Sequence, residues 1–353
     1  MKKLLCSFVA AALISSVISI SGNVDAAPSE VLMLRMDERI EKLDTDPVVK
    51  NDTPFLPIYM LRDWSGVKLR WDQESKSVTV WSDGGQYVIT NGSRTVVNGN
   101  KKVILDTPVY ITHGRMMIPD SLLEQMTGAD VRWAKGHQVV KVNSNGRSPI
   151  AIADNRPDVK LYGVDEKDGV YQELILEIGN KRHKYDWKTP LGWKEIPQVT
   201  VADLNQDDEP EVVILLNQGS GTGVHSQDVH VVNPVNFEEI PVESLEETVA
   251  QWVTSELKVD GNNLHVSVDI KGTDHNITMN IPDHAFTDMT ELGFGAVDYH
   301  SVKNNKLVLR TGAAIYFGVF IGDLEITYEF RDGRYIAGEV EFIPFEEYKQ
   351  YVQ

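Results

Sequence analysis

Sliding this chain along itself by 62 residues aligns 34–80 with 96–142 without a gap. That internal repeat constrains the fold more than any other feature, because both segments must find the same kind of structure and bury it side by side. The identical pairs are Leu43/Leu105, Asp44/Asp106, Thr45/Thr107, Pro57/Pro119, Leu61/Leu123, Gly66/Gly128, Arg70/Arg132, Trp71/Trp133, Val78/Val140 and Val80/Val142. They cluster at turns and at apolar strand positions, where backbone geometry and packing are most demanding, so the repeat reads as a duplication.

Each unit has the same physical plan. In the second, 94–105 reads as a hairpin, with Val96 and Val97 before Asn98-Gly99-Asn100 and Val103 to Leu105 after it; Asn-Gly tolerates the positive φ that tight hairpins need. A short extended piece over 109–111 and a turn at His113-Gly114-Arg115 follow. Pro119 suits the start of a helix whose apolar face is Leu122, Leu123 and Met126, and Gly128 stands where a left-handed C-cap is wanted. Val131 and Trp133, then Val139, Val140 and Val142, alternate as a strand pair. The first unit places Asp37-Glu38 at its hairpin turn, and Met60, Leu61 and Trp64 on its helix before Gly66. The repeated Trp71 and Trp133 have the chemistry to stack on sugars, but their alternation with Leu69 and Val131 favours core packing.

The string Leu105-Asp106-Thr107-Pro108-Val109-Tyr110-Ile111, then Gly114-Arg115-Met116-Met117-Ile118-Pro119, Leu123 and Gly128-Ala129-Asp130-Val131-Arg132-Trp133 resembles the copper amine oxidase N-terminal-like domain, also called the stalk domain. The first unit is more divergent, with Pro54 and Phe55 where Met116 and Met117 stand. The resemblance covers about 30–143 and implies an antiparallel sheet curved around helices, serving as an accessory or surface module of exported proteins. It does not extend to the enzyme's chemistry. The cofactor tyrosine of those oxidases lies in an Asn-Tyr-Asp/Glu motif, and no Asn-Tyr pair occurs in this chain. The nine histidines are scattered and none forms a His-x-His pair. Amine oxidase activity is therefore not expected, and copper has no support.

Lys2 and Lys3, the apolar run 4–20 and the small-residue stretch ending Val24-Asp25-Ala26 have the three parts of a secretory signal peptide, 1–26. Four serines interrupt the run, which makes a poor membrane span. Cys6 is the only cysteine, so the processed chain holds no disulfide, thiolate metal site or cysteine nucleophile. No later stretch reads as a transmembrane segment. The formal net charge is −18, which repels a phosphate backbone and argues against nucleic acid.

Residues 144–158 mix turn formers with a weak apolar patch and read as a linker. Beyond them the chain, 159–353, reads as a β-rich domain, with a division considered near 233–258. Strand-like alternation recurs at 160–164, 171–178, 198–202, 211–216, 228–232, 264–270, 276–280, 306–310, 324–330 and 335–343. One helix is expected over 241–253, with Leu245, Val249, Trp252 and Val253 on one face. The fold class is thus α+β and β-dominated: an N-terminal sheet curved around helices, followed by a β-rich C-terminal part.

The sharpest chemical motif lies between the strands 198–202 and 211–216. Asp203, Asn205, Asp207 and Glu211 put oxygen at alternate loop positions, and Glu209 offers its carbonyl. A hard cation such as Ca²⁺ takes six to eight oxygens at ~2.3–2.6 Å, which alternate residues of a tight loop can supply. The string resembles the calcium loop of FG-GAP (VCBS, integrin-like) repeats, which implies a Ca²⁺ site at Asp203, Asn205, Asp207, Glu209 and Glu211. That family places Gly where Gln206 and Asp208 stand here. Further on, Gly219-Ser220-Gly221-Thr222-Gly223 reads as a hairpin turn; neither P-loop order nor a Gly-x-Ser-x-Gly elbow is present. The apolar stretch 311–321 is expected to be a buried strand pair rather than a partner surface; exposed, it would be an adhesive patch.

Together these features point to an exported, non-catalytic cell-envelope or secreted protein. Its stalk module would present a β-rich domain to a cell-wall polymer or an envelope protein. The alternative is a secreted hydrolase using dispersed carboxylates or a bound metal.

Overall fold

Tight turns between short strands set the architecture, and the first of them shows how the two halves of the chain are joined. Between the strands Met33–Met36 and Arg39–Glu41, Asp37 and Glu38 both take positive φ, 46° and 65°. L-residues lose roughly 1–2 kcal/mol each in that region. Asp37 recovers it: its carboxylate accepts the Ser144 backbone N–H at 2.7 Å and the Ser144 hydroxyl at 2.6 Å. The computed structural model describes residues 32–192, 196–273, 276–282 and 287–353; the signal peptide read at 1–26 lies outside them.

Three sheets build the N-terminal module, and each joins elements from both sequence units. In one, Met33–Met36 pairs in parallel with Val139–Asn143, Met33 opposite Val139 and Met36 opposite Val142. In the second, Thr53–Pro57 pairs antiparallel with Arg115–Pro119, Leu56 opposite Ile118. The third runs Lys68–Asp72, Ser77–Ser82, Gly85–Thr90, Thr95–Asn98 and Lys101–Ile104 in order. Leu56, Leu61, Val80, Leu122, Leu123 and Val140 are fully buried in one shared core, each stabilising the fold by about 1.5–3 kcal/mol through burial.

Two local expectations need correction. The second unit has its α-helix, Asp120–Thr127, ended by Gly128 at φ 72°. The first has only the 3-10 helix Ile58–Asp63, because the chain turns extended at Trp64 and the Ser65 N–H donates to Arg147 O at 2.7 Å. Trp71, assigned to the core, is 45% exposed and donates its Nε1–H to Gln73. It sits on the edge strand Lys68–Asp72, which has little cover on either face. Trp133 is half-buried against the core, as alternation suggests.

The stretch 144–158 is tied to both sides of the boundary. Ser144 is fully buried, Arg39 donates to the carbonyls of Pro149 and Ile150, and Arg147 pairs with Asp83. Ala151–Ala153 and the start of Arg156–Lys167 then begin the next sheet, which continues through Val170–Ile178 and Lys181–Tyr185. Across the same boundary Lys160 meets Asp63 at 3.2 Å.

The C-terminal part is layered around the strand Glu211–Gly221, which is apolar on both faces. Val212, Ile214 and Leu216 enter one core with Leu161, Leu174 and Leu176. Val213 and Leu215 enter another with Leu264, Ile270 and Ile326. This strand belongs to a sheet with Gln198–Ala202, Val224–Val232 and Glu239–Ile240. The second core is closed by two further sheets: Val253–Asp260, Asn263–Ile270 and Ile277–Ile281, and Asp298–Lys303, Lys306–Tyr316, Val319–Arg331 and Arg334–Pro344. Strands before and after 233–258 thus pack into one cluster. The helix expected over 241–253 is shorter, Leu245–Trp252. Ser244 and Glu247 form a reciprocal capping box, and Val253 already starts a strand.

Candidate functional site

The acidic loop lies where Gln198–Ala202 turns into Glu211–Gly221, with Ala202 opposite Glu211. Its side chains fold inward onto its own backbone. Asp203 accepts the N–H groups of Asp207 at 3.1 Å and Asp208 at 3.2 Å. The Asn205 amide oxygen accepts the same Asp207 N–H at 3.1 Å, and its amide nitrogen donates to Asp207 at 2.8 Å. Asp207 accepts the Glu209 N–H at 2.8 Å. The loop thereby brings together Asp203, Asn205 and Asp207, the first three of the five residues singled out. Gln206 and Asp208 adopt φ of 62° and 67°, a left-handed geometry at the two positions where a calcium loop would carry glycine.

The other two are placed differently. The Glu209 side chain is exposed. Glu211 is 3% exposed and accepts the Leu204 N–H at 2.9 Å, holding the loop's base while Leu204 plugs the core. Burial raises the Glu211 pKa, against the lowering effect of that hydrogen bond. Tyr335, 1% exposed, faces the same base; burial, then the Glu211 charge, push its phenol well above the usual range. Among the described residues no group of three or more His, Asp or Glu side chains is gathered closely enough to hold a metal ion. The convergent oxygens of the loop are two carboxylates and one amide, all hard donors of the kind Ca²⁺ takes.

The opposite end of the same strand carries a different surface. Eleven residues of strand, at about 3.3 Å each, put Gly221 roughly 30 Å from the acidic loop. The glycine-rich run is a hairpin, with a bulge between Asn217 and Gly219. Ser220 stands one residue before the end of its strand, opposite His225. The tip touches a second hairpin: a Cβ on Gly223 would lie 3.3 Å from Gly318 Cα. Around the two tips Phe317 is 83% exposed, Tyr299 51%, Val224 44% and Tyr316 41%, and the His225 ring stacks on Tyr299 at 4.1 Å. The stretch 311–321 is therefore core at Ala313, Ala314, Ile315 and Ile321, as expected, but presents its aromatic turn to solvent.

A cleft of about 610 Å³ lies at the seam between the N-terminal module and the next sheet. Of the charges along it, Arg35 pairs with Glu38 and Arg132 with Asp130. Sequence reasoning passed over the strand Asp298–Lys303, whose Asp298 and His300 line a separate groove. No helix among the described residues is long and apolar enough to cross a membrane.

A comparison with curated proteins finds no match to the chain. The family model of the copper amine oxidase N-terminal domain matches residues 35–142, so the N-terminal module is similar to that domain over those residues.

Proposed function

We propose that this is an exported, non-catalytic protein that binds a cell-wall polymer through the aromatic tips of its C-terminal part, with the N-terminal module as its stalk. The observation that carries the reading is the pair of touching hairpins with Phe317, Tyr299 and Tyr316 exposed around them. Exposed apolar rings at a protein surface mark interaction sites, and flat rings stack on the apolar faces of sugars.

A duplicated stalk fits the element bounds. Met33–Met36 and Thr95–Asn98, Val48–Lys50 and Tyr110–Thr112, and Lys68–Asp72 and Asp130–Ala134 each stand 62 residues apart. Leu56 faces its own counterpart, Ile118, as it would beside a local two-fold axis. The acidic loop is a calcium loop in this reading, and the left-handed geometry at Gln206 and Asp208 supports it. The ion would be held by Asp203, Asn205 and Asp207 and would stiffen the end of the sheet away from the tips. The hydrolase alternative has weaker support, since Asp203, Asp207 and Glu211 direct oxygens to loop N–H groups.

Two measurements test the two parts. The purified protein should co-sediment with bacterial cell walls; recovery in the supernatant would sink wall binding. Its melting temperature should be higher in calcium than in EDTA, by an amount equivalent to about 2.7 kcal/mol when calcium reaches a hundred times its Kd. Identical melting in both buffers would remove the calcium assignment and leave the wall-binding reading standing.

A further inference from the structure

A groove of about 870 Å³ opens at the seam where the N-terminal module meets the first sheet of the C-terminal part. One wall carries Lys68 and Trp81, from the strands Lys68–Asp72 and Ser77–Ser82. The other carries Lys160, from Arg156–Lys167, with Glu177 and Asn180 at the end of Val170–Ile178 and the turn after it. Its size lies in the range of small-molecule sites, roughly 300–1,000 Å³. The charged lining is net positive, Arg62, Lys68 and Lys160 against Asp83 and Glu177, in a chain whose net charge is −18.

Four of those five charges already have partners. Arg62 and Lys160 both meet Asp63, at 2.7 and 3.2 Å. Asp83 meets Arg147 at 2.7 Å, and Glu177 meets Arg182 at 3.1 Å. Lys68 is exposed and makes no ion pair among the described residues. It stands directly opposite Trp81 in the antiparallel ladder, so the two side chains leave the same face from Cβ atoms about 4.5–5.5 Å apart. Trp81 is 37% exposed. Across the groove the Asn180 side chain is exposed and has no hydrogen-bond partner among the described residues. The groove thus offers three uncommitted and reachable groups: a flat apolar ring, one cation beside it, and a carboxamide that can both donate and accept.

We propose that this groove binds a sugar ring that bears a carboxylate, with the apolar face of the ring on Trp81, the carboxylate at Lys68 and the ring hydroxyls served by Asn180. A sugar is selected because a flat indole and a free carboxamide match its two surfaces, apolar C–H face and hydroxyl edge. An acidic sugar is selected over a neutral one because Lys68 is the one lining charge left without a counter-ion. A bare anion is disfavoured, since a lone exposed lysine holds an opposite charge only weakly. A polyphosphate chain is disfavoured because one unpaired cation cannot neutralise a row of phosphates. A hexuronic acid and an amino sugar carrying a lactyl ether both present this chemistry. The groove shares no residue with the aromatic tips, and the proposal stands whether or not the tips bind walls.

The test is ligand-observed NMR titration of the purified protein, at low ionic strength, with glucuronate, glucose, N-acetylmuramate, N-acetylglucosamine and inorganic phosphate. At least one acidic sugar should bind saturably and at least about threefold tighter than its neutral counterpart, as one surface ion pair allows; the tighter of the two acids identifies the source. Phosphate alone should bind more weakly than that sugar. Lys68→Gln should abolish the preference for the acid while leaving the neutral sugar unchanged. Trp81→Ala should weaken acid and neutral sugar alike, by at least about fivefold for a lost stack. Both side chains are exposed, so the variants should melt as wild type does. Should Trp81→Ala misfold, Asn180→Ala provides a further measurement, with weaker binding of both sugars expected. The Phe317→Ala/Tyr299→Ala variant should bind the acidic sugar as wild type does, which separates this site from the tips. Neutral sugars that bind as tightly as the acids, phosphate that binds as tightly as the sugar, a folded Lys68→Gln that keeps the preference, or a folded Trp81→Ala that binds like wild type would each overturn the proposal.

Discussion

Replacing Gly322 with alanine is expected to destabilise the protein by about 3 kcal/mol, near the upper end of what overpacking costs. Gly322 lies in the strand Val319–Arg331, between Ala313 and Pro344 of its two neighbours. A Cβ there would stand 2.5 Å from the Ile343 carbonyl oxygen and 3.0 Å from both Phe342 Cζ and Pro344 Cα. A flexible side chain yields to such a contact; a carbonyl in a ladder moves only by breaking the pairing of two long strands that close the larger core. Gly318, at the turn of the same hairpin, supplies the contrast. Its φ is 74° and nothing lies within 4 Å of its virtual Cβ, so alanine there meets only the left-handed penalty of roughly 1–2 kcal/mol. Urea unfolding of the two variants measures the difference. A Gly318→Ala cost equal to or above that of Gly322→Ala would contradict this packing.

The second large effect is at Asp37. Alanine removes the acceptor of both the N–H and the hydroxyl of Ser144, a residue with no solvent access, and leaves the first hairpin turn with a left-handed residue that has no compensation. Unpaired buried donors cost about 1–3 kcal/mol each, so a loss of about 2–4 kcal/mol is expected for Asp37→Ala. Asp37→Asn keeps an oxygen acceptor and tolerates positive φ, and should cost less than half as much. The pH dependence has a definite sign. Burial raises the Asp37 pKa, outweighing its bonds to Ser144. Its contribution is therefore fully present below the ordinary carboxylate pKa and is lost as pH rises through the folded value. Unfolding titrations above pH 4 should show a shallower decline for Asp37→Asn than for wild type. A steeper decline, or an alanine variant as stable as the asparagine one, would contradict the role assigned to this seam.

Much of the architecture was legible because it rests on local signals. Apolar patterning located the starts of the strands at 198, 211 and 306 to the residue, because their apolar positions face a core, while the latter two run on to Gly221 and Tyr316, beyond the ends the pattern gave. Gly128 ended its helix as the left-handed cap chemistry requires. Where tertiary contacts overrode local preference, sequence reasoning fell short. The first unit's helix tightened to a 3-10 turn because Ser65 bonds Arg147, 82 residues away. Trp71 alternates like a core residue, but its strand is at an edge, and only the sheet order reveals that. The acidic loop was visible as a string of oxygens. The groove was not: Asp298-Tyr299-His300-Ser301 reads as polar, and nothing in it announces that Asp298 and His300 line one groove with Glu243, more than fifty residues earlier in the chain.

The central claim is that the aromatic tips hold the cell wall. It is tested most directly by co-sedimentation of wild type and the Phe317→Ala/Tyr299→Ala double variant with purified bacterial walls. Both side chains are more than half exposed, so the variant should melt as wild type does. At about 1–3 kcal/mol for each lost aromatic stack, as measured for rings stacked on planar bases, its wall affinity should fall at least tenfold. A double variant that is fully folded and sediments as wild type does would contradict the account.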